Sequence, residues 1–288
     1  MTSPVQVAAH AKLNLFLRVL AREADGFHGI ETLFCRISLA DELTVERRDG
    51  AEITLSVDGA DCGPAAENLA VRAARLVLEA TGKTFGVHLT LRKRIPVRGG
   101  LGGGSSDAAA ALLAVNQLAN NAVPRAELLQ FAARLGSDVP FFASGGALAL
   151  AWGHGERMLR LPPLPAAPAL LLIPPVSVST PDAYRQVDAA WQSAGKRGAV
   201  ALDLEALQGW GSIGRLAGND FEFALFGRLP ELRAGFEALA GTHPLLCRMT
   251  GSGATLFAVY RTTRERDDAQ LMLSRKLGQV LAVEAGGS

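Results

Sequence analysis

The sequence predicts an α+β fold built as two modest domains, on three observations. Segments with the period of two expected of strands and segments with helical spacing are mixed along the 288 residues without strict βαβα alternation. With 49% hydrophobic and 20% charged residues, the chain can bury a sizeable core, and disorder is excluded. The proline-rich stretch 162–168 is stiff and unsuited to a helix, and it marks a boundary dividing 1–160 from 161–288.

Taken in order, Val5, Val7, Ala9, Ala11, Leu13, Leu15, Leu17 and Val19 alternate with Gln6, His10, Lys12, Asn14 and Arg18, the pattern of a half-buried strand. A turn at Asp25-Gly26 leads to a second strand over 31–39. Residues 42–47 and 52–57 read as a hairpin around Asp49-Gly50. A helix is predicted over 67–81, stopped by Gly82. A strand over 87–92, a glycine-rich loop and an alanine-rich helix over 106–120 come next. Pro124 opens a helix ending near Gly136, and 147–152 is a strand. Beyond the boundary follow a strand (169–173), a helix opening at Thr180-Pro181 and a helix near 230–240. Paired strands flanking Thr250 to Ala254, a helix (262–277) and a strand (278–284) complete the order.

Composition narrows the function. The formal charge is +1, from 29 basic and 28 acidic residues, so no global field draws in nucleic acid or an anionic membrane. The longest uncharged run, Leu161 to Pro181, contains seven prolines and cannot be a membrane helix. No basic segment precedes an apolar stretch at the N-terminus, so no secretory signal is expected. Cys35, Cys62 and Cys247 are far apart and odd in number, which points to neither a disulfide framework nor zinc, and to a reducing cytoplasm. Lysine is scarce, five against 24 arginines, so each lysine's position is informative. Glycine is in surplus, 31 against about 20 expected at average usage.

Part of that surplus lies in one loop. Five of the six residues Gly99, Gly100, Leu101, Gly102, Gly103 and Gly104 are glycine, and Ser105-Ser106-Asp107 lead into a helix. Unpaired backbone N–H groups and the helix dipole converge at such a place, and glycine lets an anion approach the backbone closely. The spacing is not that of a known phosphate loop. A Walker A motif needs lysine where Ser105 stands, the dinucleotide spacing from Gly100 lands on Ser105, and the protein-kinase H-R-D and D-F-G elements are absent.

The run Pro96-Val97-Arg98-Gly99-Gly100-Leu101-Gly102-Gly103-Gly104-Ser105-Ser106-Asp107 resembles the phosphate loop of the GHMP small-molecule kinases. Four further segments resemble that family and span nearly the whole chain in its order: Ala11 to Leu17, Asp25 to Phe34, Gly136 to Phe142 and Met249 to Ala254. The resemblance implies a ribosomal-protein-S5-like N-terminal domain and a ferredoxin-like C-terminal domain. It implies transfer of a phosphoryl group from ATP to an alcohol carried on a cytidyl diphosphate, in isoprenoid precursor synthesis. Residues 96–106 would hold ATP; Asn68 fits either a helix cap or, by resemblance, a place near the adenine. Magnesium accompanies ATP chemistry, but no ligand set is identifiable, and the oligomeric state is open.

By spacing alone, Asp138 fits either a cap for a helix beginning at Pro140 or a proton acceptor; the resemblance implies the acceptor. Lys12 fits either a solvated edge strand or a site beside a carboxylate, and the resemblance pairs it with Asp138. Phe27-His28 fit a packed turn or a base-stacking pair, and the resemblance places the cytidine there, with Phe27 where tyrosine is usual. Asn14, Thr180 and Tyr184 match other positions around that substrate. Gly251 and Gly253 lie in a segment that is either a hairpin turn or, by resemblance, a cover near the phosphates. Arg98 and His10 depart from the family's usual residues. Asp107 suits the helix dipole but not a nearby triphosphate, and is expected to face away.

Overall fold

The computed structural model describes residues 3–23, 26–194 and 203–287. Asp25, expected to open the turn before Phe27, lies outside the described residues. The alternation starting at Val5 becomes strand β1 (Val5–Arg22), followed by β2 (His28–Arg48), β3 (Ile53–Asp58), helix α1 (Leu69–Ala80) and β4 (Gly86–Arg92). Helices α2 (Gly103–Leu118), α3 (Arg125–Leu135) and α4 (Val139–Ala143) come next, then β5 (Leu148–Gly153), β6 (Arg157–Leu161) and β7 (Ala167–Ile173). The remainder comprises α5 (Thr180–Ala194), α6 (Trp210–Leu216), α7 (Asp220–Leu225), α8 (Pro230–Ala240), β8 (Leu246–Met249), β9 (Leu256–Val259), α9 (Thr263–Met272) and β10 (Gln279–Ala285). No helix among the described residues is long and apolar enough to cross a membrane.

Packing divides the chain into two units. The first comprises Met1–Ala11, Leu39–Val97 and Gly102–Gly146; the second comprises Lys12–Ser38, Arg98–Leu101 and Ala147–Ser288.

In the first unit the expected hairpin of 42–47 with 52–57 does not form. Strand β4 lies between its two arms, antiparallel to β2 (Glu42↔Arg92) and parallel to β3 (Ile53↔Val87). The cause is α1. Its apolar stripe of Ala70, Val71, Ala73, Ala74, Val77 and Leu78 is buried, and a helix joining two strands with one covered face makes a parallel crossover rather than a hairpin. Strand β2 also runs unbroken where two strands were expected. Asp41, which interrupts its apolar pattern, is fully buried, and Oδ1 accepts from the backbone N of Arg94 (2.5 Å) and Ile95 (2.8 Å). A polar residue so satisfied need not end a strand.

Helix α2 begins at Gly103 rather than at Ser106, so Gly103, Gly104 and Ser105 form its first turn and Asp107 falls in the second. It is buried nearly all round, through Ala108 to Leu112, Ala114, Val115 and Leu118. Small alanines let α1 and α4 pack closely on it. These helices and the inner faces of β2, β3 and β4 make one core, with Val45, Val87, Leu89 and Phe131 within it.

In the second unit the start of β2 pairs with β5 (Ile30↔Gly153), and β5 forms a hairpin with β6, a strand the sequence pattern did not show. Strands β10, β7, β9 and β8 form an antiparallel sheet in that order. Leu170, Leu172, Leu256 and Ala258 from this sheet pack with Val187, Phe221, Leu232 and Leu239 from the helices. Helix α9 stops at Met272, short of the expected 277, and of its residues only Ala269 is buried. Cys35, Cys62 and Cys247 are free thiols, and burial pushes the Cys35 thiol up to about 12.

Candidate active site

Lys12 is the centre of the polar network in the second unit. Its backbone N donates to Leu101 O (3.0 Å), which ties β1 to the glycine-rich loop. Its side chain is buried, so the solvated-edge alternative falls. Nζ donates to Asn14 Oδ1 (2.6 Å) and to Gly100 O (2.9 Å), and lies 5.4 Å from the centroid of the Phe34 ring.

Asn14 binds three segments together: β1, β2 and the turn at Thr250-Gly251. Oδ1 also accepts from Gly251 N (2.9 Å) and from Thr250 Oγ1 (3.2 Å), while Nδ2 donates to Thr32 Oγ1 (2.8 Å). Its backbone N donates to Thr250 Oγ1 (3.0 Å). Asn219 holds the segment from below, Nδ2 donating to Met249 O (2.8 Å) and Gly251 O (2.9 Å). Thr32 and Thr250 lie within the family-like segments 25–34 and 249–254 but were given no role of their own, and Asn219 was not singled out. Their meeting depends on pairing of distant strands, which spacing does not reveal.

Gly100 shows why the loop needs glycine here. Its φ is +76°, and a Cβ would lie 2.4 Å from Thr250 O. Gly100 therefore lies directly against the Thr250–Gly253 turn, distant in sequence. Arg98, with φ +60°, is exposed, as is Val97.

His28 and Tyr184 are also brought together. Their rings stack at 5.1 Å with planes 15° apart, His28 Nε2 lies 2.8 Å from Asp188 Oδ1, and Trp191 meets the imidazole edge-on at 6.4 Å. Phe27 stands outside this stack, 66% exposed, with its ring 5.5 Å from His154. Thr180, at the start of α5, shares a hydrogen bond with Ser252 Oγ (2.8 Å) beside Gly251 and Gly253. Asp188, His154 and Ser252 were missed for the same reason as Thr32.

In the first unit, Gly102 precedes α2 with φ +73°, and Gly103, Gly104, Ser105 and Ser106 open that helix, so their N–H groups stand at its positive end. Pro96 and Val97 lead into the loop from the end of β4, and Pro96 is half-buried. Asp138 is the residue before α4, and its side chain makes no capping hydrogen bond to that helix. Asn68 does cap a helix: its Oδ1 accepts from Ala70 N (2.9 Å) at the start of α1. Asp107 turns to Lys93, with Oδ2 2.7 Å from Nζ. Among the described residues no group of three His, Cys, Asp or Glu side chains is placed to hold a metal ion.

The chain matches the GHMP kinases N terminal domain over residues 68–146 and the GHMP kinases C terminal domain over 203–279. It is 39% identical over 271 residues to the 4-diphosphocytidyl-2-C-methyl-D-erythritol kinase of Solibacter usitatus, covering 90% of this chain and 82% of that one. With the enzyme of that name from Parvibaculum lavamentivorans it is 38% identical over the full length of both. The chain belongs to this kinase family, within the GHMP kinases. A crystal structure of 4-(cytidine 5'-diphospho)-2C-methyl-D-erythritol kinase superposes with a TM-score of 0.82 at 36% identity, covering 99% of this chain and all of that one. The homoserine kinase of Cytophaga hutchinsonii has the same fold, with a TM-score of 0.71 at 24% identity over 99% of this chain and 96% of that one. In this kinase, Leu101 and Gly102 are consecutive yet belong to different packing units, so the glycine-rich loop is covalently part of both.

Proposed function

We propose that this GHMP kinase transfers the γ-phosphoryl group of ATP to the 2-hydroxyl of 4-diphosphocytidyl-2-C-methyl-D-erythritol, giving the 2-phosphate and ADP. The relatives' shared name and full-length similarity support the substrate. The observation that carries the chemistry is the buried Lys12 ammonium, fixed by Asn14 and by the carbonyl of Gly100 in the glycine-rich loop. A cation so fixed is preorganised and costs no reorganisation when charge develops on transferred phosphoryl oxygens.

The resemblance to the family assigns the roles. Asp138 takes the proton of the substrate hydroxyl, whose oxygen bonds to the γ-phosphorus as the bond to the β-bridging oxygen breaks and ADP leaves. Lys12 is the electrostatic partner of that carboxylate. Residues 96–106 hold ATP, with the phosphates on the free backbone N–H groups at the start of α2, and Asn68 lies near the adenine. Asn14, Phe27, His28, Thr180, Tyr184, Gly251 and Gly253 line the cytidyl substrate. Magnesium enters with the nucleotide as MgATP, bound mainly through phosphate oxygens and water, and no residue is assigned to it.

The test is an ADP-release assay with wild type and Asp138→Asn against a panel of acceptors: the cytidyl substrate, homoserine and mevalonate. Wild type is expected to turn over only the cytidyl substrate, and the variant to lose at least about a hundredfold in kcat. Equal use of homoserine would overturn the substrate, and undiminished turnover by the variant would overturn the base.

A further inference from the structure

Three ionisable groups outside the roles above meet beneath the start of α2. Lys93, one residue past the end of β4, pairs through Nζ with Asp41 Oδ2 and with Asp107 Oδ2. The three side chains are 3%, 0% and 4% exposed. Asp41 reaches further, accepting from the backbone N of Arg94 and Ile95 on the way into Pro96 and the glycine-rich loop. Asp107 belongs to α2, which the loop opens. The cluster thus grips the loop at its entry and at its exit. Gly103 records how close it lies, since a Cβ there would come 3.1 Å from Ile95 Cγ2 and 3.4 Å from Lys93 Nζ.

The charges do not balance. One ammonium faces two carboxylates, and burying an uncompensated charge is costly. Asp41 has three donors, whereas Asp107 has only Lys93, and its Oδ1 is buried without a hydrogen-bond partner among the described residues. The proton that would balance the cluster therefore belongs on Asp107. Burial, only partly offset by Lys93, raises its carboxyl to about 7. Burial alone would lower Lys93, but the charges of Asp107 and Asp41 outweigh it and hold the ammonium above its ordinary value. Besides these three, the Cys62 thiol lies near enough to feel Lys93, Asp107, Asp41 and Asp61. The buried faces of α1 and α4, which pack on α2, are apolar.

We propose that Asp41, Lys93 and Asp107 form a positioning unit for the phosphate loop, and that Asp107 takes up a proton from solvent when nucleotide phosphates bind there. This rests on the reading that residues 96–106 hold ATP. Phosphates at the start of α2 lie within one or two helical turns of Asp107, and such a charge raises a carboxylate's proton affinity about tenfold. Nucleotide binding and protonation of Asp107 then favour one another.

Calorimetric titration of wild type and Asp107→Asn with the magnesium complex of a non-hydrolysable ATP analogue tests this, near pH 7.5 in buffers of different ionisation enthalpy. Protons exchanged by the analogue itself cancel between the two proteins. Wild type is expected to take up about half a proton more than the variant, and its affinity to fall up to about tenfold more between pH 6.5 and 8.5. Equal proton counts overturn the proposal, even if the variant binds more weakly. An infrared difference spectrum of wild type alone, bound minus free, should gain a protonated-carboxyl band; its absence overturns the proposal without relying on the variant. A wild type that binds no nucleotide refutes the loop reading itself, and the proposal with it.

Discussion

An ammonium buried as deeply as Lys12 is tolerable only because its protons have acceptors, and Asn14 Oδ1 and Gly100 O supply two. Asn14 is the less obvious partner of the pair. Its side-chain oxygen gathers Lys12, Thr250 and Gly251, and its amide nitrogen holds Thr32. Truncation to alanine would leave several buried polar groups without their acceptor or donor at once. Asn14→Ala is therefore expected to lose about 2–4 kcal/mol of stability and at least tenfold in kcat. Thermal unfolding and steady-state rates on the same preparation check both. A stable variant with unchanged kcat would show that the network does not set the position of Lys12.

At the scale of elements, the glycine-rich loop and the Thr250–Gly253 turn are shaped by mutual approach. Gly100 meets Thr250 O, and at φ +76° any side chain adds backbone strain to the clash. Gly100→Ala should therefore displace both segments, raising the KM for ATP about tenfold or more while the far-ultraviolet circular dichroism stays unchanged. A KM within twofold of wild type would mean that the loop relaxes freely. The same logic explains the one topological surprise. The sequence pattern around Asp49-Gly50 is that of a hairpin, yet α1 has a broad apolar stripe that must be covered. Covering it on the sheet draws β4 into the space between β2 and β3. A local turn signal carries a fraction of the free energy that a buried helix face does, so the long-range term wins.

At the scale of the whole molecule, Asp107 gives folding a pH dependence of unusual sign. Its carboxyl is raised in the folded state, from an ordinary 3.8 to about 7, by burial. Between those values the folded chain binds a proton that the unfolded chain releases, so this group's contribution is complete below about pH 4 and is lost as pH rises through 7. Denaturant titrations should show wild type losing ground to Asp107→Asn from about pH 4 to 7, with little further change above. A wild type that gains on the variant as pH rises would reverse the assignment and make the Asp107 ion pair the stabilising form.

Much of this protein was open to reading from its residues alone. The period-two run from Val5, the alanine-rich helix, the glycine density at 99–104 and the scarcity of lysine depend on local spacing and composition, which survive without coordinates. So did the α+β class and the resemblance to the GHMP kinases, because motifs in a fixed order require no geometry. What only the tertiary structure decided is which distant residues meet. Asn14 finds Thr250 across 236 positions of sequence, His28 finds Asp188 across 160, and Asp41 finds Lys93 across 52. Each contact depends on strand register and helix placement, set by burial summed over many residues rather than by any local signal. The physical reason is that side-chain chemistry is written in one dimension, whereas the burial of Lys12, Asp41 and Asp107 exists only once the chain has closed around them.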